Sequence, residues 1–486
     1  MHAVEQAEWS GRLYSGGWRE GSGGSLEVTD KATDEVLAVV SEASTNDVRD
    51  AVDTARAAQV DWAETPGKER AAILRAAAGL LQEQADVIMG WLVRETGSIG
   101  PKAGWELNYA VERLHAAASL CLQPYGELVS PAARGQTSFA QRIPVGVVGQ
   151  ITPWNAPLAL ALRGLAPAVA LGNAVVLKPD PQTPVSGGLL LAGVLERAGL
   201  PEGIVHVLPG GAEVGEALVL DPGISMVTFT GSSRVGRRVG ELAGQALKKV
   251  SLELGGNNAI IVLDDADIEG ASSAGAFGSF FHQGQICMTA GRHLVHERVA
   301  GAYAEALARR AAALQVGNPH TDEVVIGPMI NTRQIERVER IVGDTVSAGA
   351  QVVTGGQRDG RYYPPTVLTG VTPDTPAFTE EIFGPVAPIV TFSDPEEAIE
   401  LANRTEYGLS AAIMTGNPGR GLAIARRLKA GMVHINDQTI ADEPNAPVGG
   451  MGASGNGGRF GSMAEWDEFT QWQWVTMRDT PAPYPF

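Results

Sequence analysis

Cysteine is scarce in this chain: among 486 residues the only two are Cys121 and Cys287. Two cysteines cannot build a disulfide framework, and no group of cysteines and histidines has the spacing of a zinc site. Basic residues are also few, with 37 lysines and arginines against 55 aspartates and glutamates, for a formal net charge of −18. Because a nucleic-acid surface needs a basic footprint, we expect no nucleic-acid partner and no metal.

The first five residues lack the basic and apolar regions of a secretory signal, so we expect a cytoplasmic protein. One stretch, 156–177, approaches the length of a membrane span. Arg163 lies within it, however, and Pro157 and Pro167 interrupt it. The pattern favours a buried helix followed by a buried strand, and we expect no membrane partner.

Helical apolar spacing follows about forty residues of short strands and turns. It predicts helices over 46–63, 67–95 and about 101–121, with Thr45 as the N-cap of the first. Residues 123–143 are polar and broken by prolines, which indicates a protruding hairpin.

From Gly146 onward, strands alternate with helices. The alternation fills about 146–246 and repeats over 258–450. It predicts an α/β fold of two units, each a parallel sheet with helices on its faces. The tail, 470–486, is predicted to form an arm or an edge strand.

A glycine-rich turn, Gly231 to Gly236, follows a predicted strand and opens a helix. Such a turn lets backbone N–H groups and a helix N-terminus meet a phosphate. Arg237 and Arg238 stand where a P-loop needs lysine and serine or threonine, and a tight turn without a ligand fits as well. Lys178, at the end of another strand, either reaches a nucleotide or is a solvated lysine.

Cys287 is either a small buried hydrophobic residue or a nucleophile. His206, His282 or His434 could be its base, but no spacing selects one. Glu253 ends an apolar strand beside glycines, a setting that suits a general base as well as a turn glutamate.

The order of these motifs resembles the NAD(P)-dependent aldehyde dehydrogenase superfamily over almost the whole chain. The matching segments are Thr152-Pro153-Trp154-Asn155, Lys178-Pro179, Phe229-Thr230-Gly231-Ser232, Glu253-Leu254-Gly255-Gly256, Gly284-Gln285-Ile286-Cys287, Glu381-Ile382-Phe383-Gly384-Pro385 and Gly449 to Gly455. The segments 178–184, 434–439 and 452–457 look most like the benzaldehyde dehydrogenase group. The resemblance implies two Rossmann-like open-sheet domains, a small oligomerisation arm, and oxidation of an aldehyde, aromatic by preference.

The resemblance also implies the roles of individual residues. Cys287 would be the nucleophile, Asn155 and the Cys287 N–H the oxyanion donors, and Glu253 the base that activates water. Cofactor contacts are expected from Ile151, Thr152, Trp154, Lys178, Gly231, Ser232, Gly236, Leu254, Glu381 and Phe383. Apolar neighbours of Asn155 and Cys287, with two aromatic residues four apart on a helix, are candidates for the substrate channel: Leu158, Leu162, Ile286, Met288, Val448, Trp105 and Tyr109. Arg163, the one charge nearby, would either pair structurally or meet a substrate carboxylate.

Two positions depart from the pattern of many relatives. Pro181 replaces a glutamate that binds the adenosine ribose and favours NAD, so NADP stays open. NAD is expected because relatives with this Asp-Pro variant are often NAD-linked. Phe460 replaces a glutamate of a proton relay, which leaves Glu253 and water to act alone.

The resemblance predicts a domain plan and partners. Residues 1–122 and 144–253 would bind NAD(P), 254–450 would be catalytic, and 123–143 with 470–486 would join subunits into a homodimer or homotetramer. The alternatives are an aliphatic aldehyde or semialdehyde as substrate, a CoA-acylating dehydrogenase, a non-catalytic nucleotide-binding protein and a cysteine hydrolase. Because hydrolysis needs a base, Glu253 speaks against CoA as the acyl acceptor.

Overall fold

Two seven-stranded sheets dominate the computed structural model, which describes residues 6–486. The first sheet is parallel except at one edge, where two short strands pair antiparallel. In spatial order its strands are Lys249–Leu254, Met226–Gly231, Val147–Ile151, Ala174–Lys178, Val205–Val207, Leu13–Ser15 and Trp18–Arg19.

The second sheet is also parallel apart from one antiparallel edge strand, Gln351–Thr354. In spatial order it contains Gln351–Thr354, Thr366–Thr369, Val386–Phe392, Ala290–His296, Asn258–Val262, Ser410–Met414 and Met432–Ile435. The two sheets confirm the predicted α/β fold of two open-sheet units. The antiparallel edges are the part of the topology that the strand–helix alternation does not predict.

Helices cover the faces of both sheets and bury their apolar sides against them. The α-helices are Gln6–Trp9, Thr45–Glu64, Gly67–Glu83, Ala85–Thr96, Gly100–Leu120, Pro157–Ala170, Leu190–Arg197, Ala212–Leu220, Ser233–Gln245, Ile268–Phe280, Glu297–Ala313, Thr332–Ser347, Pro376–Thr379, Pro395–Asn403, Pro418–Ala425 and Ala464–Phe469. A π-helical turn, Val185–Leu189, and two 3₁₀ turns, Phe281–Gly284 and Gly452–Ser454, complete the helical elements.

Two local predictions were wrong. The N-cap of the first long helix is Ser44, not Thr45: its side chain accepts from the backbone N–H groups of Asn46 and Asp47. The predicted helix over 67–95 is two helices, because Gln84 leaves the helical conformation between them. The apolar periodicity continues across Gln84 since both helices pack on the same core.

The polar hairpin and the tail form one small sheet. Its strands are Gly126–Leu128, Gln136–Pro144 and Thr470–Arg478, and the tail strand pairs antiparallel with the middle one. A two-stranded sheet of Gly24–Thr29 and Val36–Glu42 lies near the N-terminus. The stretch 156–177 forms a buried helix and then a buried strand, as predicted. Within residues 6–486, no helix combines the length and the apolar character needed to cross a membrane.

The parallel strands of the first sheet bring their carboxyl ends together. Ile151 lies beside Lys178 and beside Phe229, and Gly231 lies beside Leu254. Ligands of open α/β sheets bind at this edge. The fold therefore gathers residues from four separate motifs at one place.

Leu247 is an exposed residue in the left-handed region, with φ of 54° and 95% of its surface accessible. Its N–H donates to the Gly244 carbonyl at 3.1 Å, just after the helix Ser233–Gln245 ends. Glycine usually occupies such a position, because a side chain there costs about 1–2 kcal/mol. We therefore expect Leu247→Gly to raise the free energy of unfolding by about 0.5–1 kcal/mol, after allowing for the greater backbone entropy of glycine.

Leu247→Ala is the control, because it removes the exposed side chain but keeps the Cβ and hence the strain. Urea denaturation of the natural chain and of the two variants measures their free energies of unfolding and checks this expectation. Equal stability of the alanine and glycine variants would show that backbone strain at this turn is unimportant.

Candidate active site

A cavity of about 610 Å³ lies at the carboxyl ends of the first sheet and extends to Cys287. Its volume falls in the range of small-molecule and cofactor sites. Cys287, Glu253 and Asn155, the three predicted catalytic residues, all line it. So do all the predicted cofactor contacts except Gly236: Ile151, Thr152, Trp154, Lys178, Gly231, Ser232, Leu254, Glu381 and Phe383.

Gly236 lies behind the cavity wall, in the helix Ser233–Gln245. A Cβ at this position would come within 2.3 Å of Cδ2 of Leu254, which does line the cavity. Gly236 therefore lets the helix pack closely on the strand, and the structure assigns it a packing contact. The helix begins at the cavity, where the Ser232 side chain accepts from the Val235 N–H at 3.4 Å.

Lys178 is buried at the opposite side of the cavity, where its ammonium group donates to the Pro179 carbonyl at 3.1 Å. Burial lowers the pKa of Lys178, and the nearby Asp180 carboxylate opposes that shift. A Cβ on Gly215 would lie 3.5 Å from Cδ of Lys178, so the glycine leaves room above the lysine stem. A cation, an open helix N-terminus and this space fit the sugar and phosphates of a dinucleotide.

Glu381 is held against the backbone between the two sheets. Its Oε1 accepts from the Gly256 N–H at 3.0 Å, and a Cβ on Gly255 would lie 2.4 Å from its Oε2. Burial raises the pKa of Glu381 to about 7, and the Gly256 hydrogen bond opposes that rise. Gly255 is thus required for this carboxyl group to lie where it does.

Trp154 and Phe383 form an aromatic wall, with ring centroids 5.5 Å apart and planes at 89°. Phe383 has φ of 56°, an unusual value for a bulky residue. The Gln334 side chain donates to its carbonyl at 3.0 Å and helps to hold that conformation. Backbone strain of this kind clusters at functional sites.

The chain around Cys287 is tied to the segment that carries Glu253. Asn258 donates from Nδ2 to the Cys287 carbonyl at 2.8 Å, and a Cβ on Gly256 would come within 2.7 Å of that oxygen. The Asn155 amide donates to the Gln285 carbonyl at 3.0 Å, two residues before the cysteine. A thiol, a carboxyl group and an amide donor therefore converge from three distant parts of the sequence.

Burial controls the charges of Cys287 and Glu253. It raises the pKa of the Cys287 thiol to about 12 and that of the Glu253 carboxyl to about 8, and the Arg163 guanidinium opposes both shifts. Oε1 of Glu253 is buried and has no hydrogen-bond partner among the described residues. A carboxyl group in this state is suited to exchange a proton near neutral pH.

Arg163 forms a buried ion pair with Asp442, which also accepts from the Tyr109 hydroxyl at 3.2 Å. Of the two roles considered for Arg163, the structure shows the structural pair. Asp442 is absent from the sequence motifs, since nothing near it in the chain marks it as a partner of residue 163.

No candidate histidine lines the cavity. His282 is buried, and burial holds its pKa well below the ordinary value. His282 and Gln283 both have left-handed backbones, with φ of 50° and 55°. Gln283 donates to the carbonyls of Gly97 at 2.8 Å and Pro328 at 2.9 Å, so its side chain anchors the strained turn ahead of Cys287.

None of the predicted substrate residues lines the cavity. Ile286 and Met288 pack in a small apolar cluster that includes Cys287, Leu409 and Ile440.

The other predicted substrate residues lie elsewhere. Leu158 and Leu162 belong to the buried core of the first unit. Val448 pairs with Phe460 through backbone hydrogen bonds. Trp105 and Tyr109 stack with centroids 5.8 Å apart.

A helix near 331–348 is predicted from the sequence and confirmed as Thr332–Ser347, but its contribution to the cavity, from Arg333, Gln334 and Arg337, was missed. Arg337 donates to the Glu381 carbonyl at 2.7 Å. The two arginines are four residues apart and so share one helix face, which is the only signal the sequence offers. Glu216 and Arg238, which pair across the cavity rim at 3.2 Å, were missed as well.

Comparison with known proteins agrees with this geometry. Residues 18–475 match the aldehyde dehydrogenase family. The chain belongs to the aldehyde dehydrogenase family. It is 54% identical to a benzaldehyde dehydrogenase of Pseudomonas putida named for NAD(+), over 99% of both chains. It is 50% identical to a vanillin dehydrogenase of Amycolatopsis sp., over 100% of both.

Among solved aldehyde dehydrogenase structures, the chain resembles a salicylaldehyde dehydrogenase of Pseudomonas putida G7 in complex with salicylaldehyde. The TM-score is 0.94 and the identity 34%, over 98% of this chain and 99% of the other. Family membership confirms the resemblance drawn from the sequence motifs and the expected fold. The protein is an aldehyde dehydrogenase.

Proposed function

We propose that this aldehyde dehydrogenase oxidises a neutral aromatic aldehyde to its carboxylate, with NAD as the cofactor and Cys287 as the nucleophile. The observation that carries the proposal is the convergence of Cys287, Glu253 and Asn155 on the cavity that also holds Lys178 and Glu381. Two relatives that share at least half of the sequence are named for benzaldehyde and vanillin, which supports the aromatic preference.

The first half of the reaction forms a covalent intermediate on the cysteine. Cys287 gives its proton to Glu253, and the thiolate attacks the aldehyde carbon to form a thiohemiacetal. The carbonyl oxygen becomes an oxyanion, which accepts from the Asn155 amide and the Cys287 backbone N–H. A bound nicotinamide cofactor supplies the acceptor for the hydride that leaves the substrate carbon. Loss of the hydride restores the carbonyl and leaves a thioester on Cys287.

The second half of the reaction releases the acid. Glu253, having lost its proton to water, takes a proton from a water molecule that attacks the thioester carbon. The bond between that carbon and the sulfur breaks, which regenerates the Cys287 thiolate and releases the acid. The acid gives its remaining proton to solvent and becomes the carboxylate. With Phe460 buried and apolar, no second carboxylate comes from that position.

The cofactor assignment is supported by the residues of the cavity. Lys178 would hold the adenosine ribose, Gly231 and Ser232 the pyrophosphate, and Glu381 the nicotinamide ribose. Pro181 provides no carboxylate, but Asp180 lines the cavity beside Lys178. A carboxyl group there disfavours an added phosphate, and the Pseudomonas putida relative is named for NAD(+). NAD is therefore proposed over NADP.

The surroundings of Cys287 support an uncharged substrate. Ile286 and Met288 pack beside it with Leu409 and Ile440. The nearby Arg163 already pairs with Asp442, so no free cation among these residues awaits a substrate carboxylate. These neighbours of Cys287 are apolar and offer a charged semialdehyde no partner, which favours an uncharged aldehyde.

A kinetic panel of benzaldehyde, hexanal and succinic semialdehyde, each with NAD and with NADP and without CoA, tests the proposal. We expect the highest kcat/KM for benzaldehyde with NAD, at least about tenfold above the other pairs, because a single misfit in a binding pocket costs about 1–3 kcal/mol. Higher kcat/KM with hexanal, the semialdehyde or NADP would contradict that part of the proposal.

The same panel separates the alternatives. Acid formation without CoA is expected, and a requirement for CoA would identify an acylating enzyme. If none of the aldehydes reduced either cofactor, the proposed function would be contradicted.

The domain plan and the assembly are part of the proposal. Residues 1–122 and 144–253 would bind the cofactor, 254–450 would carry the cysteine, and 123–143 with 470–486 would join two or four subunits in the cytoplasm. The unpaired edge and the half-exposed rings of Trp472 and Trp474 on the tail strand support a subunit contact there.

A further inference from the structure

A buried ion pair lies one helical turn apart on the helix Gly100–Leu120. Lys102 and Glu106 are 1% and 0% exposed, and Nζ of the lysine is 2.5 Å from Oε2 of the glutamate. Neither residue lines the cavity. Two charges taken out of water are costly unless each finds further partners, so the contacts of this pair indicate its purpose.

Both members of the pair bind the segment that carries Asn155. Lys102 donates from Nζ to the Asn155 carbonyl at 2.8 Å. Oε1 of Glu106 accepts from the backbone N–H groups of Leu158 at 2.8 Å and Ala159 at 3.2 Å. These N–H groups open the helix Pro157–Ala170 and have no partner within it. The pair therefore fixes Asn155 and the first helical turn after it relative to one another.

The other side of Asn155 is tied to the cysteine segment. Its amide donates to the Gln285 carbonyl at 3.0 Å, and the Gln285 side chain accepts from the Ile330 N–H at 3.1 Å. Asn155 thus lies between a fixed ion pair behind it and the Cys287 segment in front of it.

A buried carboxylate in this protein caps a helical turn without a close ion pair, although the charge of Lys31 acts on it at longer range. Glu95 is 0% exposed and accepts from the N–H groups of Val185 at 2.9 Å and Ser186 at 2.7 Å, and no ion pair to Glu95 occurs among residues 6–486. Lys102 is therefore not needed for capping as such. What it adds is the bond to the carbonyl of Asn155.

We propose that Lys102 and Glu106 are positioning residues that hold the Asn155 amide where it stabilises the oxyanion. The inference rests on the proposed function, in which Asn155 is an oxyanion donor. Displacement of a catalytic group by about 1 Å can slow a reaction about 10²-fold. Because the oxyanion exists only after attack, the loss falls on kcat and on the hydride-transfer burst, and not on the KM for aldehyde.

A double-mutant cycle of Lys102→Met and Asn155→Ala tests the proposal. The readout is the rate at which NADH forms in the first turnover of the enzyme, before hydrolysis, which we call the NADH burst. Asn155→Ala is expected to slow the burst by about 10²–10³-fold. Lys102→Met is expected to slow it at least about tenfold in the natural chain, but less than about twofold when residue 155 is alanine, because its effect passes through the missing amide. Equal losses in both backgrounds, or an unchanged burst with Lys102→Met, would overturn the proposal.

Glu106→Gln keeps the size of the side chain and one acceptor oxygen, so it provides a second test of the positioning role if Lys102→Met does not fold. It is expected to slow the burst by at least about fivefold with KM unchanged, since it loses the charge that holds Lys102. Glu95→Gln is the matched control: it loses a buried capping carboxylate of the same kind and is expected to lower the thermal midpoint without slowing the burst. An equal slowing by Glu95→Gln would show that any buried cap has this effect and would overturn the proposal.

The failure of the proposed function is distinguishable in the same experiment. In that case the natural chain itself forms no NADH with any aldehyde of the panel. NADH formation by the natural chain together with an additive double mutant instead contradicts only the positioning role.

Discussion

Replacing Cys287 with alanine is expected to abolish aldehyde oxidation while NAD still binds. The thiolate makes the bond that turns the aldehyde into a hydride donor, and no other cysteine lines the cavity. We expect kcat to fall by at least about 10⁴-fold, as when other covalent nucleophiles are removed. NADH formation measures the loss, and quenching of tryptophan fluorescence by NAD measures binding, since Trp154 lines the cavity.

Cys121 provides the matched control. It is partly buried, and its thiol donates to the Ala170 carbonyl at 3.3 Å, away from the cavity. Cys121→Ala is therefore expected to keep full activity. Turnover retained by Cys287→Ala would contradict the nucleophile assignment, and an equal loss in both variants would point to a general effect on folding.

Replacing Glu253 with glutamine is expected to trap the thioester. The first turnover still releases NADH, more slowly because the Cys287 thiol then loses its proton to solvent and not to Glu253, whereas hydrolysis lacks its base altogether. We expect a burst of NADH followed by a steady state slower by about 10²–10⁴-fold, the usual contribution of a general base. Stopped-flow absorbance separates the two phases.

Glu381→Gln is the control for this prediction. Glu381 is also a carboxyl group on the same cavity, but it is only partly buried and its proposed partner is the cofactor. Its replacement is expected to raise the KM for NAD without making the steady state slower than the first turnover. A slow steady state after a fast first turnover with Glu381→Gln, and not with Glu253→Gln, would reverse the two roles.

The pH dependence of the reaction follows from the same carboxyl group. Burial raises the pKa of Glu253 to about 8, so the hydrolysis rate is expected to rise with pH until about that value. In the Glu253→Gln variant, the hydrolysis rate is expected not to show this rise with pH. Between the ordinary pKa of 4.5 and about 8, the folded chain keeps a proton that the unfolded chain has lost. The contribution of Glu253 to the free energy of unfolding therefore falls as pH rises through this range.

The sequence predicts the parts of the fold that depend on local pattern. Alternating strands and helices predict both open sheets. The polar segment 123–143, which prolines interrupt, predicts a hairpin outside them, and the tail 470–486 predicts an arm or an edge strand. The pairing of the tail strand Thr470–Arg478 with Gln136–Pro144 is a contact between residues more than three hundred apart, which no local period encodes. The exact ends of helices depend on single side chains, as the hydrogen bond from the Asn46 N–H to the Ser44 hydroxyl oxygen shows.

The site is predicted as far as it consists of motifs at strand ends. Asn155 and Glu253 line one cavity because the strands Val147–Ile151 and Lys249–Leu254 end at the same edge of the first sheet. Cys287 reaches the same cavity from the second unit, after the 3₁₀ turn Phe281–Gly284. The substrate side is less predictable, because proximity in sequence to Asn155 placed Leu158 and Leu162 among the candidates. Both lie on a helix that is buried on every side, so they serve the core.

The distant partners of buried charged residues cannot be read from the sequence. Lys102 and Glu106 read as one more pair four residues apart on a helix, and only the fold brings Asn155 to them. The same holds for Arg163 with Asp442, whose charges cancel within a buried region next to Cys287. Such pairs carry much of the electrostatics of the site.

Mass spectrometry of the trapped enzyme tests the central claim most directly. Glu253→Gln is mixed with benzaldehyde and NAD, quenched in acid during the burst and digested. The account predicts one benzoyl group per chain, located on the peptide that contains Cys287 and absent without NAD. NADH release with an unmodified Cys287 peptide, or a benzoyl group on Cys121 instead, would contradict it.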